Sequence, residues 1–355
     1  VGALTSKPYA FAARPWELGK TQSVDVMDAV GSAIRVDTRG REVMRILPRI
    51  NEAINEEWIS DKTRFVWDGL KSQRLDRPYV RKGGKLQPAS WDEALSAVAA
   101  RIKKAGNKVG AIAGDLSAVE EMYALKALLT SIGSGMTDVR PAMSGIDPSM
   151  PRSAYLFNPT IAGIEEADAI LIIGSNPRRE AAVLNARIRK TWRAKNVPIS
   201  VIREQADLTC SYQYLGEGFE SLAELAAGKG SFAEVLSKAQ RPLVIVGEGA
   251  VSNAQLGKQV GRDVIALASK LATGSTVAEG WNGFAMLHNA ASRVGWLWRA
   301  RESLMFSSCS VPTSMTPPRW ARLSWFISAA MVIAVRIAPM SSCRVRLTPR
   351  SPAPM

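Results

Sequence analysis

Ala169-Ile170-Leu171-Ile172-Ile173-Gly174-Ser175-Asn176-Pro177 is the stretch whose reading decides the fold. Five consecutive apolar residues without alternation fit a strand buried on both faces. Gly174, Ser175 and Asn176 then bring turn chemistry, and Pro177 suits the first turn of a helix. An amphipathic pattern follows over 180–194. The same strand–helix grammar recurs on either side: strands are expected at 109–114, 197–202 and 242–246, and helices at 118–130 and 254–271. Ser90-Trp91-Asp92-Glu93 has the form of a capping box opening a helix to about residue 104. Residues 90–295 are therefore expected to be α/β, a doubly wound parallel sheet covered on both faces.

The preceding residues read differently. Residues 1–20 look irregular, broken by Pro8 and Pro15. Short β-like pieces at 24–27, 33–36 and 43–47 predict a small antiparallel unit. Residues 51–70 suggest short helices, and Gly83-Gly84 marks a hairpin over 79–87. A small β-rich module over 21–89 is expected ahead of the α/β domain.

Composition changes abruptly at Gly295. From 296 to 355 there is no Gly, Asp, Lys, Asn, Gln, Tyr or His, whereas Ser, Pro and Arg abound and Glu302 is the only acid. The formal net charge of +14 is shared equally between this segment and the first 295 residues. No basic helix, zinc spacing or aromatic platform accompanies it, so nucleic-acid binding is not supported. The three cysteines, Cys210, Cys309 and Cys343, form no C-x-x-C pair, and neither a zinc site nor a disulfide framework follows. The longest apolar run, 323–335, is short of the roughly 20 residues of a spanning helix. The chain opens at Val1 without an initiator Met, which suggests a piece of a longer protein.

The candidate site is Gly174, Ser175, Asn176 and Pro177. Ligands of open α/β sheets bind at the carboxyl ends of strands, and helix N-termini attract phosphate. Arg178 and Arg179 would add charge. The competing reading is a βα turn shaped by backbone needs alone. Gly247-Glu248-Gly249 is weaker, since Glu248 would repel a phosphate, and no G-x-G-x-x-G supports a dinucleotide site. His288, the single histidine, sits in an apolar run at 284–288 read as helical, and is expected to be packed. Glu165-Glu166-Ala167-Asp168 and the acidic stretch 51–57 read as solvated surface.

Three segments go further than any motif. These are VGALTSKPYAFAARPWELGKTQSVDVMDAVGSAIRV (1–36), NEEWISDKTRFVWDGLKSQRL (55–75) and NPTIAGIEEADAILIIGSNPRREAAVLNARIRK (158–190). Over about residues 1–294 the chain resembles the large iron–sulfur subunits of respiratory complex I, the G-type subunits of NADH-quinone oxidoreductase, in their alphaproteobacterial or mitochondrial form. The resemblance implies a sheet of molybdopterin-oxidoreductase type. It also implies [2Fe-2S] and [4Fe-4S] clusters in the full-length protein, carrying electrons from NADH through flavin toward quinone. Their ligands would lie upstream of Val1, residues 1–20 ending that cluster-bearing region. No cofactor is expected on this chain. The GSNP loop, which meets a pterin nucleotide in the wider superfamily, would be a relic. Residues 23–30 hold no cysteine where some bacterial members bind a further cluster.

The implied partners are the other peripheral-arm subunits, without nucleic acid, and with membrane contact only through the complex. The implied place is the cytoplasmic face of a bacterial inner membrane, or the matrix side of the mitochondrial one. Two other classes remain open, a pterin-dependent molybdenum or tungsten oxidoreductase and a nucleotide-binding α/β module.

The family continues with segments that residues 296–355 lack. Back-translation of 305–317, read one base earlier, can yield DVLFLLGADEYDA, and 340–355 can yield DVILPGAAYTEKSGTY. Both look like family sequence. The tail is therefore expected to be a frameshifted, unstructured translation.

Overall fold

The computed structural model describes residues 6–70, 74–138, 146–147, 149–252, 257–274, 276–295 and 297. The tail expected to be unstructured thus lies outside the described residues apart from Leu297, which, against that expectation, is buried in the hydrophobic core.

The first sheet is antiparallel, in the order β1 (Gly19–Val24), β2 (Ala33–Arg39), β3 (Glu42–Pro48). The expected strand at 24–27 is displaced toward the N-terminus. Asp25 breaks the run, because its backbone N–H bonds Ser32 and its carboxylate accepts the Met27 N–H at 2.9 Å and the Thr63 hydroxyl at 2.5 Å. Ile34, Ile46, Ile59 and Trp67 form the core of this part, closed by α1 (Asp61–Phe65), which Ser60 caps at the Thr63 N–H.

Residues 77–111 and 125–137 group together. They contain the hairpin β4 (Tyr79–Lys82) and β5 (Lys85–Pro88), with Gly83 and Gly84 both at positive φ in its turn. They also contain α2 (Trp91–Ala105), whose Ser90 hydroxyl accepts the Glu93 N–H at 3.2 Å. Grouping by contacts thus places the hairpin with α2, across the boundary expected at 89/90. The strand expected at 109–114 shrinks to β6 (Ala111–Ile112), which pairs with β7 (Thr137–Asp138) and stays out of the main sheet. Gly110, Ala111, Ala113 and Gly114 offer too little apolar area to hold a central strand. The helix that follows is α3 (Val119–Ser131).

The main sheet is entirely parallel. Its strands are β8 (Ala169–Ile173), β9 (Ile199–Ile202), β10 (Gln213–Gly216), β11 (Pro242–Gly247) and β12 (Phe284–Leu287). The spatial order is β10-β9-β8-β11-β12. Every residue of β8, β9, β11 and β12 is buried. Odd and even positions feed two separate cores. Leu171, Ile173, Val244 and Val246 pack with α6 (Phe219–Ala226), α7 (Ser231–Lys238) and α9 (Gly257–Ala272). Ile170, Ile172, Leu243 and Ile245 pack with Leu184 and Ile188 of α5 (Ala182–Lys195). Helices on both faces make the sheet doubly wound.

The sequence reading placed no element between residues 202 and 242, where β10, α6 and α7 lie, and two further details differ from it. Residues 284–287 form a strand, not a helix, in register with Val244–Gly247. A short apolar run carries no period, and the open edge of β11 decided its state. The helix expected over 180–194 is split into α4 (Pro177–Glu180) and α5, because Ala181 at ψ 71 leaves helical geometry.

Candidate functional site at the sheet switch point

Numbered along the chain, the five parallel strands run 3-2-1-4-5 in space, so the direction of winding reverses between β8 and β11. In such sheets ligands settle in the crevice at that reversal, outside the carboxyl ends of the two strands. Gly174–Pro177 follows β8, and Gly247–Gly249 follows β11 into α8 (Glu248–Val251). The structure therefore brings together two loops that the sequence offered separately.

The crevice is filled by the chain itself. A Cβ on Gly247 would lie 2.5 Å from Ser175 Cβ and 2.8 Å from the Gly174 carbonyl oxygen. A Cβ on Gly249 would strike that same oxygen, and one on Gly174, at φ +60, would strike the Ala250 backbone. Backbone lies on backbone, and Ser175, Asn176 and Pro177 are buried beneath it. The glycines allow this close approach of the two loops.

An internal anion occupies the N-terminus of α4. The Glu180 carboxylate accepts the Asn176 backbone N–H at 2.9 Å and the Ser175 hydroxyl at 2.5 Å. Arg178, expected to add charge here, turns away to pair with Asp207. Glu248 is buried, and burial pushes its carboxyl up against the opposing pull of Arg293, whose Nε lies 3.8 Å away. Arg293 also donates to Asp115 at 2.5 Å. The mouth of the crevice carries Glu180 and Glu248 against one buried guanidinium, an unfavourable field for a phosphate.

The other candidates have structural roles. His288 is buried, and its Nε2 lies 2.8 Å from the Tyr155 carbonyl oxygen, which can only accept, so the proton sits on Nε2. Burial holds its pKa below the usual histidine value. The acidic run before β8 is engaged rather than free. Asp168 accepts the Gln240 N–H at 2.7 Å, and Glu166 pairs with Arg241 at 2.7 Å. Asn55, within the stretch expected to be surface, is fully buried: its side chain accepts from the Ala33 N–H and donates to the carbonyls of Arg49 and Trp58. The half-buried Cys210 thiol is pushed up by burial, away from reactivity. Among the described residues no group of His, Cys, Asp and Glu is placed to hold a metal ion, and no helix is long and apolar enough to cross a membrane.

Residues 74–348 match the family model described as molybdopterin oxidoreductase. The chain belongs to the molybdopterin oxidoreductase family. Residues 18–68 match a second model, described as the NADH-ubiquinone oxidoreductase NDSU1/NuoG-like 4Fe-4S domain. The chain is 46% identical to the mitochondrial 78 kDa subunit of NADH-ubiquinone oxidoreductase from Neurospora crassa, over 93% of this chain and 43% of that protein. It is 50% identical to the G-type subunit of NADH-quinone oxidoreductase from Rickettsia bellii, over 83% of this chain and 43% of that protein. The chain thus spans less than half the length of these relatives. Acetylene hydratase from Pelobacter acetylenicus aligns at a TM-score of 0.45 and 13% identity, over 81% of this chain and 39% of that one, a likeness too slight to carry a conclusion.

Both family names imply a cofactor, and the residues present fit neither. Iron–sulfur clusters are held by thiolates, and residues 18–68 contain no cysteine. The buried polar side chains there are Asp25, Asp28, Ser32, Asp37, Asn55, Ser60 and Thr63. At the switch point the two loops lie backbone on backbone, and the Ser175 hydroxyl and Asn176 N–H are already engaged by the Glu180 carboxylate.

Proposed function

We propose that this chain is the structural α/β part of the iron–sulfur subunit of a respiratory NADH:quinone oxidoreductase, and is not itself catalytic. Electron transfer from NADH through flavin toward quinone would run over clusters held elsewhere in the whole protein. The chain would support and dock the peripheral arm beside the cytoplasmic or matrix face of the membrane. The observation that carries this reading is the self-filled crevice between β8 and β11, where the Ser175 hydroxyl and Asn176 N–H are already engaged by Glu180. The names of the relatives support the assembly.

Metal analysis and nucleotide titration of the purified chain test it. Molybdenum, tungsten and iron are expected at far below one per chain, and GTP and GDP are expected not to bind. Stoichiometric molybdenum or tungsten would favour an active pterin enzyme, and saturable nucleotide binding a nucleotide module; either would overturn the proposal.

We also propose that the change at Gly295 is a change of reading frame. The family match running to residue 348 weighs against it, whereas the loss of several residue types at one point weighs for it. Gene sequence lacking the two family segments in the alternate frame would end the idea.

A further inference from the structure

Beside α5 lies a groove of about 680 Å³ with Trp58 on one side and Arg189 and Arg193 on the other. Its wall is pre-formed. Asn55 locks the 51–58 loop from within, the Arg187 guanidinium donates to the Glu52 carbonyl at 2.6 Å, and Lys190 pairs with Glu56 at 2.5 Å. Glu56, the acid of the groove, is thereby already neutralised.

What remains is one-sided. The α5 segment contains five bases and no acid. Arg187, Lys190 and Lys195 turn to the 51–58 loop or to Glu165. Among the described residues Arg189 engages only its Nε, on the Thr209 carbonyl. Arg193 makes no hydrogen bond or ion pair among the described residues. Trp58, on the groove's edge, is 62% exposed. Guanidinium forks beside an exposed aromatic side chain match an extended acidic peptide with one apolar anchor.

We propose that this groove is a docking site for an acidic, extended segment of a partner protein, anchored by an apolar side chain on Trp58 and by carboxylates on Arg189 and Arg193. Nucleic acid fits poorly, because two free cations and one aromatic make no backbone-tracking path. A second copy is disfavoured by a formal charge of +14 on each chain. The inference rests on the groove and does not require the assembly proposed above.

The test is fluorescence anisotropy of a labelled peptide that alternates Glu and Asp around one Leu, titrated with the full chain at low and physiological salt. Arg193→Glu is expected to weaken binding about tenfold or more, and Trp58→Ala several-fold. Lys20→Glu and Arg64→Glu, on β1 and α1, match the change in net charge and are expected to leave binding within about twofold of the parent once salt screens the diffuse field. Sedimentation of the same variants reads self-association. Three results would each overturn the proposal: no saturable binding of the peptide, equal losses in the control variants, or a dimer that Arg193→Glu dissolves.

Discussion

Glu180 Oε1 accepts the backbone N–H of Asn176 at 2.9 Å, which folds the carboxylate back onto the N-cap of its own one-turn helix, α4. Its other oxygen takes the buried Ser175 hydroxyl. Glu180→Ala leaves both donors without their acceptor in a closed loop. We expect a loss of about 1–3 kcal/mol in urea unfolding, with Glu180→Gln milder because its amide oxygen still accepts. An unchanged midpoint for Glu180→Ala would show that water replaces the carboxylate.

The two glycine loops pack backbone against backbone. Gly247→Ala inserts a methyl group 2.5 Å from Ser175 Cβ and 2.8 Å from the Gly174 carbonyl oxygen, and both neighbours are held by backbone. It is expected to cost at least the ~1–3 kcal/mol of an overpacked core. Gly228→Ala, where a Cβ meets nothing, tests φ alone, since that residue sits at +81°. Denaturant midpoints of the two variants separate steric from conformational cost.

Arg187 is buried between α5 and the 51–58 loop, donating to the Glu52 carbonyl and lying 3.5 Å from Glu165. Removing one member of such a buried set strands the others. Arg187→Ala is expected to destabilise by about 3 kcal/mol, and Arg187→Met by a similar amount despite keeping volume. A cost of only a few tenths would mean that the carboxylates relax into solvent.

His288 is the only histidine, so its titration can be isolated. Its folded pKa lies below the ordinary 6.5 because burial disfavours the charged ring. Below pH 6.5 the unfolded chain therefore binds a proton that the folded chain refuses. Stability is full above that pH and falls as pH drops toward the folded pKa. Chemical denaturation from about pH 7.5 to about pH 5 is expected to show this slope, reduced in His288→Gln. The raised carboxyls of Asp28 and Glu248 act in the opposite sense, losing stability as pH rises through their folded pKa values. An identical slope in parent and variant would mean that His288 stays solvated.

Asp147 gives a window at lower pH. Its partial burial pushes the carboxyl up, but the Ser149 N–H and the Arg262 guanidinium more than offset this and hold it at about 2. Its stabilising contribution is present above the ordinary carboxyl pKa and is lost between about pH 4 and pH 2. Asp147→Asn is expected to lower stability at neutral pH and to converge on the parent near pH 2. A constant gap across that range would exclude the mechanism.

Much of the α/β part was legible because its signals are local. An unbroken run such as Ala169–Ile173 has one stable solution, burial on both faces, and a parallel sheet between helices follows. The Ser90 cap and the Gly83-Gly84 turn are settled within a few residues of chain. The run at 284–288 misled because so short an apolar run holds no period, and 109–114 misled because small residues read as a strand while supplying little area to bury. Asn55 was hidden in an acidic stretch, since nothing in its neighbours announces the backbone groups of Ala33, Arg49 and Trp58 that it satisfies.

The sequence by itself determined the buried strands β8, β9 and β11, the Ser90 cap, the turn residues after β8 and β11, and the resemblance that places the chain in its family. Only the tertiary structure decided that those two turns meet at the switch point and close on each other. That outcome depends on strand order and on contacts between residues far apart in the chain, Ser175 against Gly247. Glycine is required there by a neighbour the local sequence does not contain, because the Cβ of any larger residue in place of Gly247 would meet Ser175.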